Sequence, residues 1–270
     1  MRALPGALEP GELAITFINH ITFLLQYRGL NLLTDPVFSR RASPVQWLGP
    51  ERRHHPGVPF DALPPIHAVL LSHNHYDHLD LQALRRLSLE HRSLIITPLG
   101  NSAYLNEQGI EQTVDLDWWQ DVHYRQATIT LTPAQHWSSR GPGSRNRNLW
   151  GGFIVSFEGQ RLYFAGDTGY GSHFREIGGR IGAIDVALLP IGAYEPRWFM
   201  AEQHMNPAEA VQAHLDLASR FSIATHFGCF RLTDEGIDDP VQDLTEALNR
   251  SRVRADRFVV PVPGKTILRR

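Results

Sequence analysis

Six consecutive residues, His73-Asn74-His75-Tyr76-Asp77-His78, carry the densest set of chemically useful side chains in this 270-residue chain. Neutral imidazoles and carboxylates are the ligands that Zn²⁺ takes when thiolates are absent. In an extended stretch His73 and His75 point the same way, and a turn toward Leu79 brings Asp77 and His78 round. The segment therefore predicts a metal site. The alternative is a polar loop before a helix, with Asp77 or Asp80 as its cap.

Three other segments share one form, an apolar strand that leads to a candidate ligand. They are residues 128–132 before His136, residues 162–166 before Asp167, and residues 222–225 before His226. Each one alone is weak evidence, since a lone histidine is more often structural and Asp167-Thr168-Gly169 is also typical of a turn. Because the carboxyl ends of strands converge at one edge of a sheet, their joint occurrence favours a shared site.

The elements that must position these residues are a mixture of strands and helices. Apolar runs and alternation predict strands over residues 14–18, 22–25, 30–33, 66–72, 94–97, 128–132, 153–157, 161–165, 184–189, 222–225 and 257–260. Helical spacing predicts helices over residues 79–89, 101–108 and 241–248, and a further helix that begins at Asn206-Pro207-Ala208-Glu209. The pattern contains no repeat and no linker, and it indicates a single α/β domain over residues 1–270.

Composition excludes several classes of protein. With 42% hydrophobic and 20% charged residues and a formal net charge of -2, the chain is neither disordered nor a coiled coil. The balanced charge gives no reason to expect a nucleic-acid partner. The single cysteine, Cys229, excludes an internal disulfide framework and a cysteine-rich zinc module.

Targeting signals are also missing from the sequence pattern. Residues 1–10 carry two prolines and no apolar core of a signal peptide, and no window approaches 18 uninterrupted apolar residues. We therefore expect a cytoplasmic protein. The sequence leaves open a peripheral contact with a membrane, although it contains no basic amphipathic helix that would predict one.

The ligand pattern resembles the signature of the metallo-β-lactamase superfamily, which is His-x-His-x-Asp-His, a later His, a Gly-Asp and a final His. Longer strings resemble one branch of it, N-acylphosphatidylethanolamine-hydrolysing phospholipase D and its bacterial relatives. These strings are residues 33–39, 116–119, 132–137, 163–170 and 190–200, followed by Gln203-His204. The match runs from about Thr16 to Pro240. The string Ile-Gly-Ala-Tyr-Glu-Pro-Arg-Trp is the most specific part.

The resemblance implies a four-layer αββα sandwich with two zinc ions, although iron and manganese stay open as alternatives. Carried over by motif, His73, His75 and His136 bind one ion. Asp77, His78 and His226 bind the other, and Asp167 bridges the two. All seven positions hold the expected residue types.

Such a centre suits an anionic substrate. Two Zn²⁺ carry roughly +4, the two carboxylates about -2 and a bridging hydroxide about -1, so the site stays positive. A metal-bound hydroxide can then attack the phosphorus of a phosphodiester without a side-chain nucleophile. We predict a phospholipase D-type phosphodiesterase for N-acylphosphatidylethanolamine or a related diester, with Asp77 and His204 as catalytic residues. The same centre would also serve a lactonase or other carbonyl hydrolase, and a non-catalytic metal- or lipid-binding protein is the third alternative.

Substrate contacts are predicted for six residues, of which His204 is either a proton donor, a phosphate partner or structural. They are Tyr76, Trp137, Arg140, Tyr194, Gln203 and His204. Asp35 is the candidate acceptor that orients a ligand imidazole. Five tryptophans could line a channel for acyl chains, although most of them are expected in the core. They are Trp47, Trp118, Trp119, Trp137 and Trp198.

Departures from the branch concern other regions. Asn19-His20 stands where relatives commonly have Gly-His, and the chain begins close to the first predicted strand, without the long N-terminal extension of the animal enzymes. Both differences affect the expected membrane contact and lipid preference. The sequence leaves open whether the protein forms a homodimer.

Overall fold

The structure is a computed structural model, and it describes residues 4–5 and 8–270. The expectation that no signal peptide occupies residues 1–10 therefore falls partly on residues 1–3 and 6–7, which lie outside the described residues. The described part contains fourteen strands. They are β1 (Leu13–Asn19), β2 (Thr22–Tyr27), β3 (Leu30–Thr34), β4 (Ala68–Leu70), β5 (Leu94–Pro98), β6 (Thr113–Leu116), β7 (Asp121–Tyr124), β8 (Ala127–Thr132), β9 (Gly152–Phe157), β10 (Gln160–Phe164), β11 (Val186–Pro190), β12 (Ser222–Thr225), β13 (Phe258–Val259) and β14 (Thr266–Arg269).

Six α-helices accompany the strands in the same described ranges. They are α1 (Leu81–Arg86), α2 (Asn101–Glu107), α3 (His173–Ile181), α4 (Arg197–Met200), α5 (Pro207–Asp216) and α6 (Asp239–Ser251). A π-helical turn, Leu87–His91, continues α1, and a 3₁₀ turn covers Phe60–Ala62. None of the helices in these ranges is long and apolar enough to cross a membrane.

The chain folds into two compact units, each built on one seven-stranded sheet. The first unit comprises the described residues of Met1–Asp117, Ser138–Trp150 and Pro261–Arg270. The second comprises Trp118–Trp137 and Gly151–Val260. The prediction of one domain over residues 1–270 stays a prediction.

The sheet of the first unit has the order β14-β1-β2-β3-β4-β5-β6. Strands β14, β1, β2 and β3 pair antiparallel, and β3, β4, β5 and β6 pair parallel. Strands β1, β3 and β4 therefore run in the same direction, and their carboxyl ends lie at the same edge of the sheet. This edge carries the polar side chains that the sequence singles out.

The core of the first unit lies between one face of its sheet and the helical segments α1 and α2. Each of the first five strands contributes a fully buried aliphatic side chain, and the helical segments contribute leucines on one face. These residues include Ile18, Leu24, Leu33, Val69, Ile95, Leu84, Leu87 and Leu105. Burying such a side chain is worth roughly 1.5–3 kcal/mol. Packing thus fixes the strand ends that position the site.

The sheet of the second unit has the order β13-β12-β11-β10-β9-β8-β7. Strands β10 to β13 pair parallel, and β7 to β10 pair antiparallel. Strands β8, β10 and β12 run in one direction, so their carboxyl ends share an edge. The core packs this sheet against α3, α5 and α6 through residues such as Ile177, Val211 and Leu244.

Local sequence signals explain several element boundaries. The Asn206 side chain accepts a hydrogen bond from the Glu209 amide, and the Glu209 carboxylate accepts one from the Asn206 amide, which forms the expected capping box of α5. Asp80 caps α1 by accepting from the amides of Gln82 and Ala83. Of the two candidate caps that the sequence offered there, the structure selects Asp80.

Other elements differ from the sequence expectations. The buried strand expected over residues 66–72 is limited to Ala68–Leu70, and the helix expected over residues 79–89 ends as a π-helical turn. Strands β6, β7 and β14 and helix α3 were not expected. Strands β6, β7 and β14 lie at sheet edges, where pairing with one neighbour rather than an apolar pattern of their own defines them.

Candidate metal centre

The His73–His78 segment follows strand β4 at the carboxyl edge of the first sheet. Parallel pairing sets Thr34 of β3 opposite Leu70 of β4, so that Asp35 comes to lie beside Ser72. The Asp35 carboxylate accepts hydrogen bonds from the Ser72 amide at 2.7 Å and from the Ser72 hydroxyl at 2.6 Å. The register of two strands thus brings a buried carboxylate under the histidine segment.

Hydrogen bonds orient the imidazoles of this segment. The Nδ1 atom of His78 lies 2.6 Å from Asp35 Oδ2, which confirms Asp35 as an orienting acceptor. The Nδ1 atom of His73 lies 2.9 Å from Ser72 Oγ. A proton held on Nδ1 leaves the lone pair on Nε2, which is the tautomer that binds a metal through Nε2.

Ligand atoms also approach one another within the segment. His73 Nε2 lies 2.9 Å from His75 Nδ1, and His78 Nε2 lies 3.4 Å from Asp77 Oδ2. Nitrogen and carboxylate atoms therefore converge in two places, as the alternation of extended and turned backbone predicts.

His20 also lies at this edge, although the sequence pattern does not single it out as a ligand. It follows β1, is only 1% exposed, and its Nε2 lies 3.3 Å from Asp77 Oδ2. Its backbone has φ of 45°, in the left-handed region, because the chain turns tightly between β1 and β2. The signal was present, since His20 also ends an apolar strand.

In the second unit, three predicted ligands follow strands that end at the same edge. His136, Asp167 and His226 come after β8, β10 and β12. An isolated bridge pairs Gln135 with Gly169, which holds the loop after β8 against the loop after β10. The expectation that strand ends gather these residues is met within this sheet, while His73–His78 lies on the other one.

Asp167 is the centre of the second ligand group. Its Oδ2 atom lies 3.2 Å from His226 Nε2 and 3.9 Å from His136 Nε2. The Nδ1 atom of His204 lies 3.9 Å from the same oxygen. The four side chains are buried, so a cation held among them would be shielded from water.

His136 owes its orientation to a main-chain group. Its Nδ1 lies 2.9 Å from the Gln203 carbonyl oxygen, an acceptor that can only receive a proton. Gln203, predicted to contact substrate, thus contributes its backbone to a predicted ligand. No local pattern of residues predicts that contact, because it joins residues 67 positions apart.

Arg197 anchors the segment that carries His204. Its guanidinium donates to both Glu209 carboxylate oxygens at 2.8 and 3.0 Å and to the His204 carbonyl at 2.9 Å. This bidentate pair connects α4 to the cap of α5. His204 is therefore fixed from both of its flanking helices.

The donor sets fit a divalent metal ion. Ligand atoms of Asp35, His73 and His78 lie within 4.8 Å of one another in the first unit, and those of His136, Asp167 and His204 do so in the second. Imidazole and carboxylate donors suit zinc, iron and manganese. Both groups are thus able to take part in metal binding.

Tyr76 and Arg140 support the His73–His78 segment. The Arg140 guanidinium lies 4.0 Å from the centroid of the Tyr76 ring and donates to the Asn74 carbonyl at 3.1 Å. The Tyr76 hydroxyl donates to the Arg140 carbonyl at 2.9 Å. These contacts give both residues a positioning role beside their predicted contact with substrate.

Tyr194 and Trp137 differ in their surroundings. Tyr194 is buried and its hydroxyl donates to Asp243, and this burial and the hydrogen bond raise its pKa. Trp137 is half-buried, with its ring centroid 6.3 Å from that of His136. The expectation that most of the five tryptophans lie in the core is wrong, because Trp47, Trp118 and Trp198 are exposed and Trp119 and Trp137 are half-buried.

Comparisons with known proteins agree with this architecture. The protein family described as Beta-lactamase superfamily domain matches residues 30–227. An uncharacterised protein of Mycobacterium tuberculosis is 40% identical over 264 residues, which cover 96% of this chain and 69% of that protein. N-acyl-phosphatidylethanolamine-hydrolyzing phospholipase D 1 of Caenorhabditis elegans is 37% identical over 259 residues, which cover 92% of this chain and 73% of that protein. The solved isothiocyanate hydrolase from Delia radicum gut bacteria superposes with a TM-score of 0.75 at 22% identity, covering 94% and 98% of the two chains.

The chain belongs to the β-lactamase superfamily and has its α/β metallo-β-lactamase fold. The resemblance to the N-acylphosphatidylethanolamine-hydrolysing branch is likewise confirmed, since curated relatives of that description stand at 36–37% identity. Family membership and the donor sets together make it a metal-dependent hydrolase of that fold.

Proposed function

We propose that this protein is a zinc-dependent phosphodiesterase of phospholipase D type, acting on N-acylphosphatidylethanolamine or a related phosphodiester. The observation that carries the proposal is the similarity to the nematode enzyme whose name states this activity, over 92% of the chain. The string from Pro190 to Met200 and the full ligand set support it further. An isothiocyanate or carbonyl substrate has no comparable support, because structural likeness at 22% identity bears on the fold alone.

Seven residues would hold two zinc ions, following the family pattern. His73, His75 and His136 would hold one ion, and Asp77, His78 and His226 the other, with Asp167 shared between them. When bound, two such ions supply a nucleophile at neutral pH and stabilise charge on the phosphate oxygens. The orientation of His78 by Asp35 and of His136 by the Gln203 carbonyl supports this assignment.

The chain's own residues keep protons in defined places during the proposed reaction. Asp35 holds a proton on His78 Nδ1, and the Gln203 carbonyl holds one on His136 Nδ1. In the first ligand group, Asp77 Oδ2 lies 3.3 Å from His20 Nε2 and 3.4 Å from His78 Nε2. With these protons fixed, the metal-facing nitrogens stay neutral donors.

His204 is the proposed group for proton transfer to the leaving alkoxide or for contact with the phosphate. Its buried imidazole lies beside Asp167, and its ring centroid is 5.0 Å from that of His136 and 5.5 Å from that of His226. Arg197 fixes its backbone. Tyr76, Trp137, Arg140, Tyr194 and Gln203 remain the proposed surroundings of the substrate.

Purified protein incubated with N-acylphosphatidylethanolamine tests the proposal. We expect release of an N-acylethanolamine and phosphatidic acid, loss of this release with chelator, and recovery with zinc. Asp167→Asn should lower the rate by at least about a hundredfold, since it removes the shared carboxylate. Asp185→Asn is the matched control, because Asp185 bonds Arg161 and Arg220 instead.

Two results would contradict the proposal. A zinc-loaded protein that leaves every phosphodiester intact while it hydrolyses lactones would be a carbonyl hydrolase. Tight lipid binding without turnover of any substrate would indicate a metal- or lipid-binding protein.

The remaining proposals concern partners and location. We propose a phospholipid or small phosphodiester as substrate, no nucleic-acid partner, and a cytoplasmic protein that contacts the membrane peripherally. A homodimer stays an open arrangement. Sedimentation velocity measures the oligomeric state, and cell fractionation measures the location.

A further inference from the structure

Residues 38–56 of the first unit combine cations with exposed apolar side chains. This segment has four arginines and a single glutamate, Glu51, and its middle carries Trp47 and Leu48. Trp47 is 77% exposed and Leu48 is 61% exposed. A soluble protein rarely places an indole and an isobutyl group side by side in water without a use for them.

The segment is a closed and internally bonded loop. Arg41 and Glu51 form a bridge between its two stems, and the Ala42 amide donates to the Pro50 carbonyl at 3.0 Å. Gln46 exchanges hydrogen bonds with the backbone of Arg41, at 3.0 and 3.1 Å. The exposure of Trp47 and Leu48 at its tip is therefore a feature of a defined loop conformation.

Asp80 fixes the base of this loop. Its carboxylate accepts from the amides of Phe38 and Ser39 at 2.9 and 2.7 Å, while it also caps α1. Asp80 lies two residues after the predicted ligand His78. The loop and the histidine segment thus share one anchor.

A cationic cavity is formed by the two stems of this loop. Its volume is about 510 Å³, and it is lined by Phe38, Arg40, Glu51, Arg52, Arg53, His54, His55 and Pro56. Arginine side chains are suited to bidentate contacts with phosphate oxygens. Arg40 is paired with Glu51, and Arg52 donates to the carbonyls of Ser39 and Val37. The exposed Arg53 is therefore the guanidinium of this lining that is offered to a phosphate-bearing head group.

A second cavity connects the loop with the supports of the histidine segment. It has a volume of about 290 Å³, and its lining includes Ser39, Arg41 and Gln46 from the loop and Tyr76 and Arg140 from the other side. A lipid engaged by the loop would therefore lie next to residues that hold His73–His78 in position.

We propose that residues 38–56 dock this protein on an anionic phospholipid bilayer, with Trp47 and Leu48 in the interface and the arginine-lined cavity against a phosphate head group. Tryptophan favours the boundary between head groups and acyl chains, and arginines add attraction to anionic lipid. A second copy of the chain is a poorer occupant, because it would bring the same positive loop against this one. The inference builds on the proposed phospholipid substrate, but it is tested by binding alone.

Vesicle co-sedimentation of the full chain tests the docking loop. We expect binding to phosphatidylcholine vesicles that contain phosphatidylglycerol, weaker binding to pure phosphatidylcholine, and weakening with added salt. Arg53→Glu should reduce the affinity by roughly tenfold or more, at about fivefold for each unit of charge. The double variant Trp47→Ser/Leu48→Ser should reduce it by roughly tenfold.

Matched controls come from exposed residues elsewhere in the chain. Leu89 is 80% exposed on the π-helical turn, and Arg175 is exposed on α3. Leu89→Ser and Arg175→Glu should bind vesicles as the unchanged protein does. Hydrolysis of a water-soluble diester should be unaffected by Trp47→Ser/Leu48→Ser, so failure of the proposed activity and failure of docking are distinguishable.

Three outcomes would overturn the docking proposal. One is equal binding to neutral and anionic vesicles at all salt concentrations. Another is vesicle binding by Arg53→Glu and Trp47→Ser/Leu48→Ser that matches the unchanged protein. The third is a dimer in sedimentation velocity that Trp47→Ser/Leu48→Ser converts to a monomer, which would make the loop a contact between copies.

Discussion

At the scale of single residues, the ring protons of the histidines decide what the ligand groups can bind. His78 and His136 each have Nδ1 beside an oxygen acceptor, and the two acceptors differ in kind. Asp35 provides a buried carboxylate, whereas Gln203 provides a main-chain carbonyl. A substitution of Asp35 removes its carboxylate, whereas no substitution at Gln203 removes the main-chain carbonyl.

Asp35→Asn tests the orienting carboxylate. The amide keeps the size of the side chain but loses the charge that holds the proton on His78 Nδ1. We expect metal affinity to fall by roughly 10- to 100-fold, as is typical when an outer-shell partner is lost. Competition between the protein and a chromogenic chelator for zinc measures the change.

Asp115→Asn is the control for this substitution. Asp115 also accepts two backbone hydrogen bonds, from Gly100 and Ser102, but it lies at β6. The zinc affinity of the Asp115→Asn variant should match that of the unchanged protein. If Asp35→Asn retained full affinity as well, the carboxylate would have no role in orienting His78.

At the scale of elements, parallel strands place successive loops at one sheet edge, and glycine permits their close approach. Gly192 follows β11, and His226 follows the neighbouring strand β12. A Cβ atom on Gly192 would lie 2.2 Å from the His226 carbonyl oxygen, which no side chain tolerates. The position of the proposed ligand His226 therefore depends on a glycine in the adjacent loop.

Gly192→Ala is expected to displace His226 and to lower zinc content, because backbone atoms rather than a flexible side chain occupy the space. The metal-to-protein ratio after dialysis measures this loss. Gly179→Ala is the matched control, since a Cβ atom there meets nothing within 4 Å and its position in α3 favours alanine. Equal metal content in the two variants would contradict the prediction.

At the scale of the whole molecule, buried histidines outside the ligand groups link stability to pH. Burial lowers the pKa of His173 from 6.5 to about 4. Its Nε2 lies 3.1 Å from Thr168 Oγ1 on the loop after β10. The unfolded chain therefore binds a proton at a higher pH than the folded chain does.

The sign of this effect gives a prediction for acid. The contribution of neutral, buried His173 to the free energy of unfolding is fully present above about pH 6.5. It falls as the pH drops toward about 4, by up to about 3 kcal/mol. His173→Gln should flatten this part of the profile. Urea unfolding at several pH values, with chelator present so that metal release adds nothing, measures it.

The exposed His123 on β7 supplies the comparison. His123→Gln should leave the pH profile as steep as in the unchanged protein. An equally steep profile for His173→Gln would instead assign the acid sensitivity to other groups.

The sequence alone was enough to single out the candidate ligand residues and to predict most strands and helices, because short-range signals suffice for both. Apolar runs that end on His73, Asp167 or His226 are visible in a few consecutive letters, as is the capping box of α5. Edge strands such as β7 and β14 are not predicted from the sequence, because pairing with a neighbouring strand, rather than an apolar pattern of their own, makes them strands.

Only the tertiary structure decided which side chains meet. The register of β3 against β4 sets Asp35 beneath His78, and the turn after β1 brings His20 to Asp77. The Gln203 carbonyl reaches His136 across 67 positions of chain. The physical reason is that a contact between distant residues depends on strand direction, register and packing, and these arise from many weak interactions at once rather than from any local pattern of residues.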